Sequence, residues 1–222
     1  MQPQPTYVLI PGAASDAWYW HLVAPALRER GGDVVAVDLP CEDDAAGLAE
    51  YAGTVVDAIG ERRNLVVVAH SLGGFTGPLV CERVPVDVLV LLQAMIPAPG
   101  EPPGEWWANT GYEDGVGVDV SAFDTFFNDV APDLAAEATR REMAQSGTPM
   151  AAPWPLDAWP DVPTRFLLCS EDRFFPAPFM RRVVRERLGI EPDEIATGHM
   201  PMLARPEELA DRLAAYALPG SR

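Results

Sequence analysis

The sequence alternates between two periodicities, and that alternation limits the folds open to it. Short apolar runs rich in β-branched residues, Thr6 to Ile10 (TYVLI), Asp33 to Val37 (DVVAV), Leu65 to Ala69 (LVVVA) and Val86 to Leu92 (VDVLVLL), read as strands. Between them apolar residues recur at helical spacing. The first helical stretch carries Trp20, Val23 and Leu27 on one face and runs to Gly31–Gly32, a C-terminal stop. The second, Ala45 to Ile59, repeats Leu48, Ala52, Val55, Val56 and Ile59, and Gly73 to Arg83 reads as a third despite Pro78. Strands this uniformly apolar belong in a parallel sheet covered on both faces, and parallel neighbours need the crossovers that the helices supply.

The alternation stops at Pro97. Residues 97–163 are rich in Pro, Gly and Trp, with helical patterns at 121–130 and 132–145. It resumes with Arg165 to Cys169 (RFLLC), a helix around Pro178 to Leu188, a short strand near Asp193 to Ala196 and a last helix from Pro206. Proline in the first turn and the apolar set Leu209, Leu213, Ala214 and Ala217 support that helix. The expected architecture is therefore α/β, a mostly parallel central sheet of about six strands with helices on both faces. Residues 1–96 and 164–222 form its core, and residues 97–163 are an inserted helical cap.

A chain of 222 residues can bury a large core without disulfide or metal staples. Thirty-three acids against 16 bases give a net charge of −17, with no basic cluster to offset it. Such a surface repels phosphate backbones and anionic lipids, so neither a nucleic-acid nor a membrane partner is expected. Every base is arginine. The absence of lysine excludes a Schiff base, a pyridoxal phosphate anchor and a P-loop lysine. Cys41, Cys81 and Cys169 are widely spaced and form no C-x-x-C, which points to small buried thiols in a reducing compartment. The first residues lack a basic n-region, and no run of 18 apolar residues occurs. A cytoplasmic protein is expected, and the heavy use of Arg, Ala, Pro and Gly suits a GC-rich bacterial genome. No metal or cofactor is expected, and a homodimer is compatible with the sequence.

Ala69-His70-Ser71-Leu72-Gly73-Gly74 follows a strand and opens a helix, the position of a nucleophile elbow, with alanine where G-x-S-x-G has its first glycine. A serine hydroxyl needs a base, and the chain offers only His21, His70 and His199. His70 adjoins the serine and should project elsewhere, packing or hydrogen-bonding behind the sheet. His21 lies beside Trp20 on the first helix, where it would sit on the surface or line a pocket. His199, on the loop Thr197-Gly198-His199-Met200-Pro201 after the last strand, can reach Ser71. The acid that orients it lies in Glu171-Asp172 after the penultimate strand. Asp172 is favoured, and Glu171 competes with it, one residue away. The backbone N–H groups of Leu72 and Ala13 are the expected oxyanion donors. Gly12 and the aromatic Trp106, Trp107 and Phe174 are the expected substrate-binding residues.

Ile10-Pro11-Gly12-Ala13 with Trp18 and Trp20, the elbow at 69–74, Glu171-Asp172 and Gly198-His199-Met200 together resemble the α/β-hydrolase superfamily. Within it, the chain resembles the branch holding plant methyl-ester esterases and hydroxynitrile lyases, with compact bacterial relatives. The resemblance covers nearly the whole chain, the cap only in position. It implies a serine hydrolase acting through an acyl-enzyme, with Ser71, Asp172 and His199 as its triad. Hydroxynitrile lyases carry a lysine beside the catalytic histidine and a threonine in the oxyanion loop. Here Met200 and Gly12 stand in those places, which favours hydrolysis over cyanohydrin cleavage. The net negative charge disfavours polyanionic substrates and the aromatics of residues 97–180 suggest an apolar pocket roof, so a small or medium, uncharged apolar carboxylic ester is expected. The alternatives are a cofactor-free lyase or cyclase using the same Ser/His pair, and a non-catalytic ligand-binding protein on this scaffold.

Overall fold

The computed structural model describes residues 4–112 and 122–218. Six strands form one all-parallel sheet in the order β2-β1-β3-β4-β5-β6, where β1 is Thr6–Ile10, β2 Asp33–Ala36, β3 Leu65–His70, β4 Val88–Leu92, β5 Thr164–Cys169 and β6 Asp193–Ile195. Strand parity divides the core in two. Val8, Ile10, Val67, Ala69, Leu89, Leu91, Phe166 and Leu168 face one way, against the helices α2 (Leu48–Ile59), α3 (Gly77–Cys81) and α8 (Ala177–Leu188). Tyr7, Leu9, Val66, Val68, Val90, Leu92, Leu167 and Cys169 face the other, against α1 (Val23–Glu29) and α10 (Pro206–Tyr216). Burial on both faces is why these strands are apolar throughout instead of alternating with polar residues.

Between β4 and β5 the chain leaves the sheet through α4 (Trp106–Thr110), α5 (Ala122–Phe126), α6 (Pro132–Arg140) and α7 (Thr148–Ala151). The start of the 121–130 helical pattern lies outside the described residues. The described residues of this segment build no core of their own: Trp106 and Trp154 join one half of the sheet's core, and Val130, Ala135 and Ala138 join the other. The 132–145 pattern ends as a helix at Arg140. Beyond it the chain turns back to the sheet, the Met143 N–H donating to the Ala14 carbonyl at 3.0 Å and the Ala144 N–H to Glu42 at 3.2 Å.

The helix expected over Gly73–Arg83 is in two pieces, a 3₁₀ segment at Ser71–Phe75 and then α3. Pro78 accounts for the break, because it has no N–H to donate to the carbonyl of Gly74 and restarts the helix at its own first turn. A short α9 (Pro201–Ala204) likewise precedes α10, again opened by proline. Among the described residues no helix is long and apolar enough to cross a membrane.

The chain enters the sheet at β1, fills one edge with β2, and then crosses to β3 on the other side of β1. Loops leaving the carboxyl ends of β1 and β3 therefore diverge and open a crevice, the place where open α/β sheets bind ligands. Gly12 follows β1 and Ser71 follows β3.

Candidate active site

Ser71 is the first residue after β3, and it is held at φ +51°. A non-glycine residue in the left-handed region costs about 1 kcal/mol or more, so its surroundings must enforce it. The Met95 N–H donates to the Ser71 carbonyl at 2.9 Å. A Cβ on Gly73 would stand 2.8 Å from the Pro11 carbonyl oxygen, and one on Gly74 would overlap the Met95 carbonyl. Both glycines are therefore steric requirements of a turn wedged between the loops after β1 and β4.

The loops after β5 and β6 bring two more groups to Ser71. Nε2 of His199 lies 3.2 Å from Ser71 Oγ, and its Nδ1 lies 2.7 Å from Asp172 Oδ2. A carboxylate only accepts, so Nδ1 carries the ring proton and Nε2 is left bare to accept the serine hydroxyl. Glu171, the competing acid, stays exposed; its N–H donates to the Thr197 carbonyl at 3.0 Å, and its carbonyl accepts from Asn128 at 3.3 Å. Asp172 itself is buried and fixed by further donors. Phe174 N–H reaches its Oδ1 at 2.7 Å, and Gln93 Nε2 reaches its Oδ2 at 2.7 Å.

Gln93 is a site residue that the sequence reading missed. It is fully buried at the end of β4 with φ +44°, and it also donates to the Phe175 carbonyl at 2.9 Å and accepts from the Cys169 N–H at 2.8 Å. A polar residue directly after the apolar run VLVLL was the available signal. Asp129 was missed too: its Oδ2 accepts from Thr197 Oγ1 at 2.6 Å and Gly198 N–H at 2.8 Å, tying the segment before α6 to the His199 loop.

Ser71, Leu72, Ala13 and Gly12 all line one cavity of about 290 Å³. Leu72 lies in the first turn of the 3₁₀ segment, where a backbone N–H has no acceptor in its own helix. Ala14, at φ +54°, reverses the loop after β1 and sends its own N–H away to Gln145 at 3.2 Å. The rest of the wall includes Trp107, Phe126, Phe127, Phe174, Met150 and Met200, a largely apolar surface. Among the described residues no group of His, Cys, Asp and Glu side chains is placed to hold a metal ion.

Three expectations need correction, and for His21 the surface alternative stands. Trp106 does not line the cavity. It is fully buried behind Trp107, its ring 5.3 Å from that neighbour and its Nε1–H donating to the Ile96 carbonyl at 3.0 Å, so it supports the wall from within. His70 is not behind the sheet but beside the site, because the loop after β6 reaches back to the end of β3: its Nε2–H donates to the His199 carbonyl at 2.9 Å. His21 stacks on Trp18 at 4.4 Å, half-buried, and is not part of the cavity wall. Cys81, at the end of α3, is only half-buried, whereas Cys41 and Cys169 are buried.

Burial, and to a lesser extent the neighbouring His199, push the His70 imidazole down to about 3, against the opposing effect of its bond to the His199 carbonyl. The unfolded chain would take up that proton near 6.5. Between those values the unfolded state binds the proton and the native state does not, so stability is intact above about pH 6.5 and falls as pH drops through the interval, by about 1.4 kcal/mol per pH unit. Imidazole NMR resonances of His70 are expected to keep neutral-form shifts at pH 5; charged-form shifts there would contradict this account.

The comparisons with known proteins agree with the topology. The family described as the alpha/beta hydrolase family matches residues 7–212. Methylesterase 1 of Arabidopsis thaliana is 26% identical over 250 residues, covering 92% of this chain and 93% of the relative. Norfluorocurarine synthase 1 of a Strychnos species is 24% identical over 257 residues, covering 96% of each chain. Among solved structures, polyneuridine aldehyde esterase superposes with a TM-score of 0.83 at 21% identity, covering 97% of this chain and 100% of the other. With the sheet order, the position of Ser71 after β3 and this match along nearly its whole length, the chain belongs to the alpha/beta hydrolase family.

Proposed function

We propose that this protein is a serine esterase that cleaves a small or medium carboxylic ester, apolar around its reacting carbonyl, through an acyl-enzyme. The observation that carries this reading is the hydrogen-bonded series Ser71 Oγ, His199 Nε2, His199 Nδ1 and Asp172 Oδ2, at 3.2 and 2.7 Å, opening into an apolar cavity. The similarity to a methylesterase and to an esterase of known structure points the same way.

In this mechanism Ser71 Oγ attacks the ester carbonyl while His199 Nε2 takes the hydroxyl proton. Asp172 stabilises the resulting imidazolium through its Nδ1–H. The negative charge that develops on the carbonyl oxygen is met by the backbone N–H groups of Ala13 and Leu72. His199 then protonates the departing alcohol as the carbon–oxygen bond breaks. Water, deprotonated by the same nitrogen, attacks the acyl carbonyl and releases the acid and free Ser71. Residues 97–163 act in this reading as a cap, their Trp107, Phe126, Phe127 and Met150 closing the cavity over the nucleophile.

A fluorophosphonate probe is expected to label Ser71 in the parent protein, and p-nitrophenyl esters to be turned over with a chain-length optimum set by the cavity. Labelling without turnover of any ester in an acyl-length panel would favour a lyase or cyclase use of the same pair. Tight ligand binding that survives Ser71→Ala, with no esterase activity in the parent, would point to a binding protein instead.

A further inference from the structure

The cavity lining combines apolar and polar groups: Trp107, Phe126, Phe127, Phe174 and Met150, and with them Ser15, Tyr19, Thr139 and Glu142. Trp107 and Phe126 both pack against Phe174, with ring centroids 5.5 and 4.6 Å away. The chain has sixteen arginines, and among the described residues none lines the cavity. Among the described residues Glu142 is the one carboxylate in the wall, and the nearest arginines in sequence are engaged elsewhere. Arg140 and Arg141 both bind Glu137, at 2.5 and 2.8 Å, and Arg141 also lies over the Trp18 ring at 4.8 Å.

The hydroxyl protons of this wall are also committed. Tyr19 donates to the Ala138 carbonyl at 3.1 Å, Thr139 to the Ala135 carbonyl at 2.9 Å and Ser15 to the Ala13 carbonyl at 3.0 Å. What these hydroxyls offer a ligand is oxygen lone pairs, in a cavity whose rim also carries the exposed Glu142. The Tyr19 phenol is raised to about 12, by burial above all and in smaller part by the Glu142 and Asp16 carboxylates, so it adds no negative charge of its own. A chain of net charge −17 deepens the negative potential of such a cleft. An acceptor-only, negatively charged wall complements a ligand that brings donors and positive charge, and the aromatic rings of the lining add cation–π attraction.

We infer that Glu142 makes this cavity selective for esters that carry a protonated amine, the ammonium group resting against Glu142, Tyr19 and Thr139 while the carbonyl meets Ser71. The inference rests on the esterase reading of the same cavity and refines the expectation of an uncharged substrate. A carboxylate-bearing ester would meet the same wall with the wrong sign.

The test compares ester pairs matched in shape. Acetate esters of 2-(dimethylamino)ethanol and 3-methylbutanol place the charge on the alcohol side; methyl 4-(dimethylamino)butanoate and methyl 5-methylhexanoate place it on the acyl side. In at least one pair, kcat/KM at pH 7 and low salt is expected to favour the ammonium ester about tenfold, a Coulomb effect of ordinary size at a partly solvated site. The preference should shrink several-fold at high salt. Glu142→Gln should abolish it, bringing the two members of a pair to equal kcat/KM. Equal rates within both pairs, or a preference that survives Glu142→Gln, would overturn the inference while leaving the esterase reading intact. Affinity of Ser71→Ala for the same pairs, measured by calorimetry, gives a readout independent of turnover. Tighter binding of the ammonium member supports the inference even if the parent hydrolyses neither ester, and equal affinities overturn it.

Discussion

Ser71→Ala is expected to lower kcat/KM for a p-nitrophenyl ester by about 10⁴-fold or more, and His199→Ala to do the same alone. The reason is chemical. A neutral hydroxyl attacks a carbonyl poorly, and Nε2 at 3.2 Å is the base positioned to take its proton. Since the two groups work as a unit, the double variant should be no slower than either single one. Activity remaining in each should be the share contributed by the Ala13 and Leu72 donors and by binding in the cavity. Thermal unfolding checks that the variants remain folded. Both side chains are buried, but Ser71→Ala removes one oxygen and keeps the residue at φ +51°, so its stability should stay near that of the parent. Retention of more than a tenth of parental kcat/KM by Ser71→Ala would remove serine from the chemistry.

The parts of this molecule that were legible in the sequence are those written in contiguous residues. LVVVA and VLVLL announce buried strands because every side chain is apolar, and the structure buries both faces of the sheet they form. The turn around Ser71 was legible because its steric demands fall within six residues, 69–74. Contacts made across the sheet left little local trace: the polar residue after VLVLL marks Gln93 but not its partner. Gln93 meets Asp172 across 79 positions, and Asp129 meets Thr197 across 68, so neither role follows from neighbours in the chain. The same reason misled the reading of Trp106 beside Trp107. Adjacent residues on a short helix point in different directions, one into the core and one into the cavity, and the dipeptide carries no sign of which is which. β5 ends at Cys169 as its apolar run indicates, so the distinction between Glu171 and Asp172 lies in the turn after it, which periodicity does not describe.

That distinction also gives a large expected effect. Asp172→Asn should lower kcat by about 10³- to 10⁴-fold, while Glu171→Gln should stay within about twofold of the parent. The asparagine is nearly isosteric, so the cause lies in the proton and not in packing. Asp172 Oδ2 accepts from both His199 Nδ1 and Gln93 Nε2 at 2.7 Å, and Oδ1 accepts from the Phe174 N–H. An amide placed there has one oxygen for these donors. If that oxygen stays with Phe174, its NH₂ faces His199 Nδ1 and selects the tautomer with the proton on Nε2, which cannot accept from Ser71. If it faces His199 and Gln93 instead, the NH₂ is set against the Phe174 N–H, donor against donor. Gln93→Leu separates these effects, since it leaves the carboxylate and removes one donor and the anchor to the Phe175 carbonyl. Its expected loss is about 10- to 100-fold, seen in kcat with KM little changed, because the cavity wall is untouched. One result would undo the assignment of the acid: Glu171→Gln losing at least as much activity as Asp172→Asn, with both variants folded.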